Sequence, residues 1–169
     1  VPAVAGQPAG LFVLVDDGAT VWRVGADMKL RGPGPFVHDG RMQGKGLAVD
    51  AGGRVFVSDE ALPGVRVFES DGTLLTSFGT RVDVNPYAAV DPNTAGRFKQ
   101  PRGLALAPNG ELVVLDRGNH TYGRYRFDAG AKRFEWLGLG PWLPQLESGR
   151  FDWRGRLLLA GAYEYYHAA

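Results

Sequence analysis

The residues best placed to do chemistry are two cations, Lys45 and Arg102, which each stand directly before a Gly-Leu-Ala triplet. They lie 57 positions apart, at the same place in two similar stretches of the chain. Two positive charges at one end of neighbouring repeat units would attract an anionic or carbonyl-rich ligand. The alternative is that each side chain only lays its aliphatic stem along a rim and leaves its charge in water. We predict Lys45 and Arg102 as ligand-binding residues and keep this alternative open.

Little else in the sequence is arranged for catalysis. The three histidines, His38, His120 and His167, occupy non-equivalent positions, and no His-x-x-His spacing links them. We therefore interpret each as a loop or turn residue. The chain has no cysteine, and none of its serines has nucleophile-elbow spacing, so covalent catalysis finds no support. No catalytic residue, metal ligand or cofactor is predicted, and a non-enzymatic role is favoured.

Oxygen ligands for a divalent ion are present, but simpler roles explain them. The candidates are Asp50, Asp59, Asp116, Asn109 and Asn119. Asp59 and Asp116 recur at equivalent repeat positions, and recurrence favours a structural role in which the carboxylate accepts backbone N–H groups of a turn. Asn109 is explained by the tight turn in which it lies.

These residues are spaced by an internal repeat that predicts the fold. Residues 46–59 (GLAVDAGGRVFVSD) align without a gap with residues 103–116 (GLALAPNGELVVLD). Each copy contains a short apolar strand, a tight turn and a second apolar strand. A third strand and an outer strand follow. Four-stranded antiparallel units of about 40 to 45 residues are typical of β-propeller blades, so the predicted fold class is an all-β β-propeller.

The copies differ in completeness. A third copy at residues 151–160 follows the second at 45 positions instead of 57, which indicates an inserted loop at 81–95 in the first interval. The N-terminal copy lacks an inner strand, and the C-terminal copy lacks an outer one. We predict a single partial propeller over residues 1–169, with about two complete and two incomplete blades. Its blade-like units are expected at about 8–35, 44–80, 98–139 and 148–169.

Two segments of the second copy resemble the NHL-repeat family of β-propellers. Residues 96–105 (GRFKQPRGLA) resemble the opening of such a repeat, and residues 115–120 (LDRGNH) resemble its mid-blade loop. The best match covers residues 44–138. The third-strand Arg-Ile-x-x-Phe pattern of the family is met loosely by residues 65–68 and 124–127.

The resemblance implies three classes of function. An amidating lyase would hold zinc through histidines directly before the Gly-Leu of successive blades, but Lys45 and Arg102 stand there, and a cation cannot ligate zinc. A gluconolactonase-like hydrolase would hold a divalent ion over the ring axis. The third class is a binding module without chemistry. We predict a binding or assembly module, with part of a metal-dependent hydrolase or lyase as the alternative.

An open arc of blades would expose strand edges and apolar faces. We therefore predict a protein partner or self-association that completes the ring, by another chain, a second copy or missing sequence. Tyrosine and tryptophan are favoured at interfaces, although packing between blades is an equal explanation for them. The predicted interaction residues are Tyr87, Trp142, Tyr163, Tyr165 and Tyr166.

Composition limits the partner classes further. A net charge of +1 gives no reason to expect a nucleic-acid partner, and no apolar run reaches the length of a membrane span. Of the 19 basic residues 15 are arginine, which is typical of a high-GC bacterial source. Because the absence of cysteine does not fix a compartment, a periplasmic or secreted location stays a hypothesis.

Overall fold

The computed structural model describes residues 11–15, 18–81, 95–143, 145–152 and 154–161. It confirms the all-β prediction, since the described residues form β-strands and no α-helix, with a short 3-10 turn at Arg117–Asn119. Four antiparallel sheets form four blades, which we number in chain order. No helix in the described residues is long and apolar enough to cross a membrane.

Within the part of the chain that the structure describes, two blades have all four strands and two do not, as predicted. Blade 1 contains β1 (Leu11–Val15), β2 (Thr20–Val24) and β3 (Val37–His38). Blade 2 contains β4 (Gly44–Val49), β5 (Val55–Asp59), β6 (Gly64–Phe68) and β7 (Leu74–Phe78). A short parallel pair follows, β8 (Thr80–Arg81) and β9 (Arg97–Phe98). Blade 3 contains β10 (Pro101–Leu106), β11 (Glu111–Asp116), β12 (Thr121–Asp128) and β13 (Arg133–Leu139). Blade 4 contains β14 (Leu146–Phe151) and β15 (Leu157–Gly161).

The tight turn between the two inner strands is the same in blades 2, 3 and 4. It places a glycine at positive φ each time, 81° at Gly53, 82° at Gly110 and 75° at Gly155. Residues with a Cβ rarely adopt this conformation, which explains why the repeat keeps glycine there. Most of the predicted insertion at 81–95 falls on residues 82–94, which lie outside the described residues.

Strand pairing shows which residues of the blades are equivalent. The inner hairpins pair Gly44 with Asp59, Pro101 with Asp116, and Leu146 with Gly161. In each hairpin the register shifts directly after this pair. The residues that directly follow Gly44, Pro101 and Leu146 therefore occupy equivalent positions in the three blades. These residues are Lys45, Arg102 and Glu147.

The core lies between consecutive blades. Val55, Val57 and Phe68 of blade 2 pack toward blade 1, and Phe56, Val65 and Val67 pack toward blade 3. The interface of blades 2 and 3 adds aromatic rings from β12 and β13, including an edge-to-face pair of Phe56 and Phe127 with centroids 5.7 Å apart. Ala105, Val113 and Leu115 of blade 3 pack toward blade 4. Blades 2 and 3 thus use alternate residues of their strands for their two neighbours.

Candidate functional site

The candidate site lies where the inner strands β4, β10 and β14 begin side by side. A Cβ atom on Gly46 would overlap the carbonyl oxygen of Arg102, and one on Gly103 would lie 2.9 Å from that of Glu147. The glycine after Lys45 or Arg102 therefore lets the next inner strand approach the backbone closely. This contact explains the Gly-Leu motif, and it brings the residues before each glycine to one rim.

Lys45 and Arg102 share one carboxylate on this rim. Glu60 places Oε2 3.6 Å from Lys45 Nζ and Oε1 3.4 Å from Arg102 Nε. Both cationic side chains are 26% exposed and Glu60 is 17% exposed, so none extends freely into water. The Ser58 hydroxyl donates to the Arg102 carbonyl at 2.7 Å and also receives the Gly46 N–H at 2.8 Å. This hydroxyl fixes the backbone of both blades beneath the charges.

A second ion pair continues the rim between blades 3 and 4. Arg117 Nε lies 3.0 Å from Glu147 Oε1. The same guanidinium donates to the side-chain oxygen of Gln145, from Nε at 3.2 Å and from Nη2 at 3.0 Å. Arg117 directly follows Asp116 in blade 3, just as Glu60 directly follows Asp59 in blade 2. Glu60 and Arg117 are therefore at equivalent positions and carry opposite charges. We call Lys45, Glu60, Arg102, Arg117 and Glu147 the rim array, which carries three positive and two negative charges.

Asp59 and Asp116 hold the loops that carry the rim array. Asp59 Oδ1 accepts the backbone N–H groups of Gln43 and Ala61, at 3.0 and 2.9 Å. Asp116 accepts those of Lys99 and Gln100, at 2.8 and 2.9 Å. Each carboxylate thus fixes the segment that leads into an inner strand, and the structural role inferred from recurrence is what the contacts show.

The two aspartates have different partners for their second oxygen. Asp59 Oδ2 receives Arg66 Nε at 2.6 Å, whereas Gly123 occupies the position equivalent to Arg66 beside Asp116. Asp116 instead receives the Asn119 side-chain amide at 2.7 Å. Burial raises the pKa of Asp116, partly offset by the backbone hydrogen bonds from Gln100 and Lys99.

A cleft of about 430 Å³ opens beside Arg117, and we call it the rim cleft. His120, with φ of 54°, lines the cleft, and its Nδ1 is buried without a hydrogen-bond partner among the described residues. Gln145, with φ of 58°, forms part of the same wall. The full lining is Lys99, Gln100, Arg117, Gly118, His120 and Gln145.

The remaining predicted residues are placed as follows. Trp142 is 65% exposed and its ring lies 5.8 Å from that of His120, so it stands next to the rim cleft. Tyr87, Tyr163, Tyr165, Tyr166 and His167 lie outside the described residues. His38 lies in strand β3 and not in a loop or turn as predicted, and its Nδ1 shares a 2.9 Å hydrogen bond with the hydroxyl of Thr20, its partner residue in β2. Among the described residues, no group of three histidines or acids is arranged to hold a metal ion.

Sequence reasoning did not single out Glu60, Arg117 or Glu147. A signal was present, because Glu60 and Arg117 directly follow the recurring aspartate and differ in sign. The partner of each lies in the next blade, and pairing across blades is visible only once the inner strands are placed side by side.

Comparison with known proteins supports the repeat and the fold. Residues 98–121, which contain the inner hairpin of blade 3 and the Asp116 loop, match the NHL repeat family. This match confirms the resemblance inferred from the sequence. None of the curated proteins matches the chain.

Several solved structures share the arrangement of strands. A candidate gluconolactonase has a TM-score of 0.62 at 17% identity, with 85% of this chain covering 50% of that one. A luciferin-regenerating enzyme has a TM-score of 0.59 at 13% identity, over 94% of this chain and 53% of that one. A chain of the nidogen/laminin complex has a TM-score of 0.58 at 17% identity, over 89% and 50%. At these identities the shared property is the fold, and the chain spans about half the length of the proteins it matches.

Proposed function

We propose, on the premise that this chain is an NHL-repeat β-propeller arc, that it serves as a binding and assembly module. Further blades complete the ring in this proposal, and they come from a partner chain, a second copy or further sequence. Lys45 and Arg102 on the rim array bind the ligand. The occurrence of the same fold in the nidogen/laminin complex supports a role in protein assembly.

The observation that carries the assembly role is the exposure of apolar side chains on blade 1. Leu11 and Val13 are 54% and 41% exposed. Their equivalents in blade 2, Val55 and Val57, are fully buried against the preceding blade. Because a buried leucine or valine stabilises a fold by about 1.5–3 kcal/mol, this face has a strong tendency to be covered.

Blade 4 shows the matching feature at its opposite face. Leu158 is 43% exposed, whereas its equivalent in blade 3, Val113, is 1% exposed. A groove of about 610 Å³ also runs between blades 3 and 4, beside Tyr122 and Arg124 of β12. In the interface of blades 2 and 3 the equivalent space is filled by the rings of the outer strands. Blades 1 and 4 therefore both expose apolar side chains whose equivalents in blades 2 and 3 are buried between blades.

The mass in solution tests the assembly role. We expect the purified chain to run above its monomer mass of 18.2 kDa in light scattering, and to shift toward monomer when Leu11→Ser and Val13→Thr are combined. Leu74→Ser is the matched control, because Leu74 is an apolar residue with a similar exposure, 55%, and lies on the outer strand β7 of blade 2. A monodisperse monomer of the unchanged chain would refute the assembly role.

The ligand-binding role of Lys45 and Arg102 has its own test. Glu60→Gln removes the carboxylate that both cations share, so the local charge rises from one to two positive units. We expect the affinity for a polyanionic probe such as pyrophosphate to increase in isothermal titration calorimetry, and to increase less in 0.5 M salt because exposed charges are screened. Unchanged affinity would show that these cations only support the rim.

The alternative role, as part of a metal-dependent hydrolase or lyase, makes a different prediction. Such an enzyme would retain a zinc or calcium ion after purification. Stoichiometric metal in elemental analysis of the unchanged chain would therefore contradict a role limited to binding. Removal of that metal should then lower the thermal unfolding temperature, since a ligand that binds only the folded state stabilises it.

A further inference from the structure

We propose that the rim cleft binds a carboxylate group through Arg117 and His120. This inference rests on the proposed binding role but uses a different place, because the cleft lies between blades 3 and 4 while Lys45 and Arg102 meet between blades 2 and 3. The cleft volume of about 430 Å³ admits a carboxylate together with the small organic group that carries it.

Arg117 supplies the first part of the site. Its Nε faces Glu147, and its Nε and Nη2 both donate to Gln145. A guanidinium has five N–H donors, so the two hydrogens on Nη1 and one on Nη2 are without a partner among the described residues. These donors lie in one plane and match the two oxygens of a carboxylate, which is the geometry of a bidentate ion pair.

His120 supplies the second part. Buried polar atoms in folded proteins nearly always have a hydrogen-bond partner, and His120 Nδ1 lacks one among the described residues. In the tautomer that carries a hydrogen on Nδ1, a carboxylate oxygen would accept from this buried atom once a turn of the imidazole ring exposes it to the cleft. His120 and Gln145 are both held in the left-handed backbone region, at φ of 54° and 58°, and such conformations are concentrated at ligand sites.

Glu147 limits the charge that the cleft accepts. Its carboxylate lies 3.0 Å from Arg117 Nε and offsets much of the positive charge there. A dianion such as phosphate would be repelled by Glu147 more strongly than a monoanion, so the site favours a carboxylate. Trp142, with its ring 5.8 Å from that of His120, gives an apolar surface beside the cleft for the group attached to the carboxylate.

Isothermal titration calorimetry with three probes tests the site: acetate, N-acetylphenylalanine and N-acetylphenylalanine amide. We expect saturable binding of both acids and none of the amide. Tighter binding of N-acetylphenylalanine than of acetate would identify a peptide-type carboxylate as the source, and equal binding would identify a small organic acid. Binding of the amide as tight as that of the acid would overturn the proposal.

Three variants locate the binding. Arg117→Met should weaken acid binding by about tenfold or more, because a charge-assisted bidentate pair is lost. Glu147→Gln should strengthen it, since the competing charge is removed while the side-chain size is kept. Arg126→Met is the control, because Arg126 is 53% exposed at the other end of β12 and should leave affinity unchanged. The proposal is overturned if both Arg117→Met and Glu147→Gln bind the acids with the same affinity as the unchanged chain.

The two proposals fail separately. Carboxylate binding is read from calorimetry at the cleft, and Glu60→Gln should leave it unchanged because Glu60 pairs with Lys45 and Arg102. Assembly is read from the mass in solution. If Arg117→Met does not fold, as circular dichroism would show, the opposite effect of Glu147→Gln still decides the case.

Discussion

Arg66 is the cation whose loss should destabilise the chain most. It is 7% exposed, and its Nε and Nη1 contact Asp59 Oδ2 at 2.6 Å and Asp39 Oδ2 at 2.7 Å. Asp59 is fully buried, so removal of Arg66 would leave its carboxylate without a cation in the interior. Breaking a buried ion pair from one side costs about 3–5 kcal/mol. We therefore expect Arg66→Met to lower the free energy of unfolding by about that amount.

Urea unfolding followed by circular dichroism measures this loss, with Arg126→Met as control. Arg126 is 53% exposed and lies 3.4 Å from Glu135, and exposed pairs contribute about 0–1 kcal/mol. Combining Arg66→Met with Asp59→Asn should restore part of the stability, because a neutral amide is easier to bury than an unpaired carboxylate. A loss of less than about 1 kcal/mol for Arg66→Met would refute the claim that Asp59 depends on this guanidinium.

Three further outcomes follow from the contacts. Burial raises the folded pKa of Asp116, so protonation of this carboxyl favours the folded state. The free energy of unfolding should therefore fall as pH rises from about 3.9 through that raised pKa. In urea unfolding, Asp116→Asn should not show this fall. The hydrogen bond from Arg124 lowers the folded pKa of Glu111, so this pair stabilises the fold above about pH 4.3 and its contribution should disappear as pH falls through the lowered pKa. Arg124→Met should remove that contribution, about 0.3–1 kcal/mol since Arg124 is 46% exposed, at neutral pH and not in strong acid. Gly46→Ala should lower the thermal unfolding temperature, whereas Gly34→Ala, with no atom within 4 Å of the added Cβ, should not.

The repeat made the blades predictable from the sequence because their signals are local. Glycine at positive φ, Asp at the end of the second strand and alternating apolar residues each depend on a few neighbouring positions. The same reasoning correctly assigned Asp59 and Asp116 to the support of turns. Local patterns also indicated where blades are incomplete, since a missing strand is a missing run of apolar residues.

The rim pairs were not predictable in the same way. Glu60 meets Arg102 across an interface, 42 positions along the chain, and nothing near Glu60 in the sequence indicates that distance. Arg66 was likewise assigned only to a loose third-strand pattern, although it neutralises two aspartates. Its counterpart Gly123 shows that the fold also tolerates the other solution, in which hydrogen bonds alone hold the buried carboxylate.

The signs of the rim charges are linked because the inner strands approach so closely. Gly46 and Gly103 let each strand approach the next through backbone contact, which keeps the residue after each aspartate within reach of the next blade. Glu60 therefore meets Arg102, and Arg117 meets Glu147, with opposite signs in each pair. A change of sign at one position would place like charges together unless its partner changed too. Recognition of an anion at this rim must then depend on the donors of Lys45 and Arg102 that do not face Glu60, and on the outer edge of Arg117, which have no partner among the described residues.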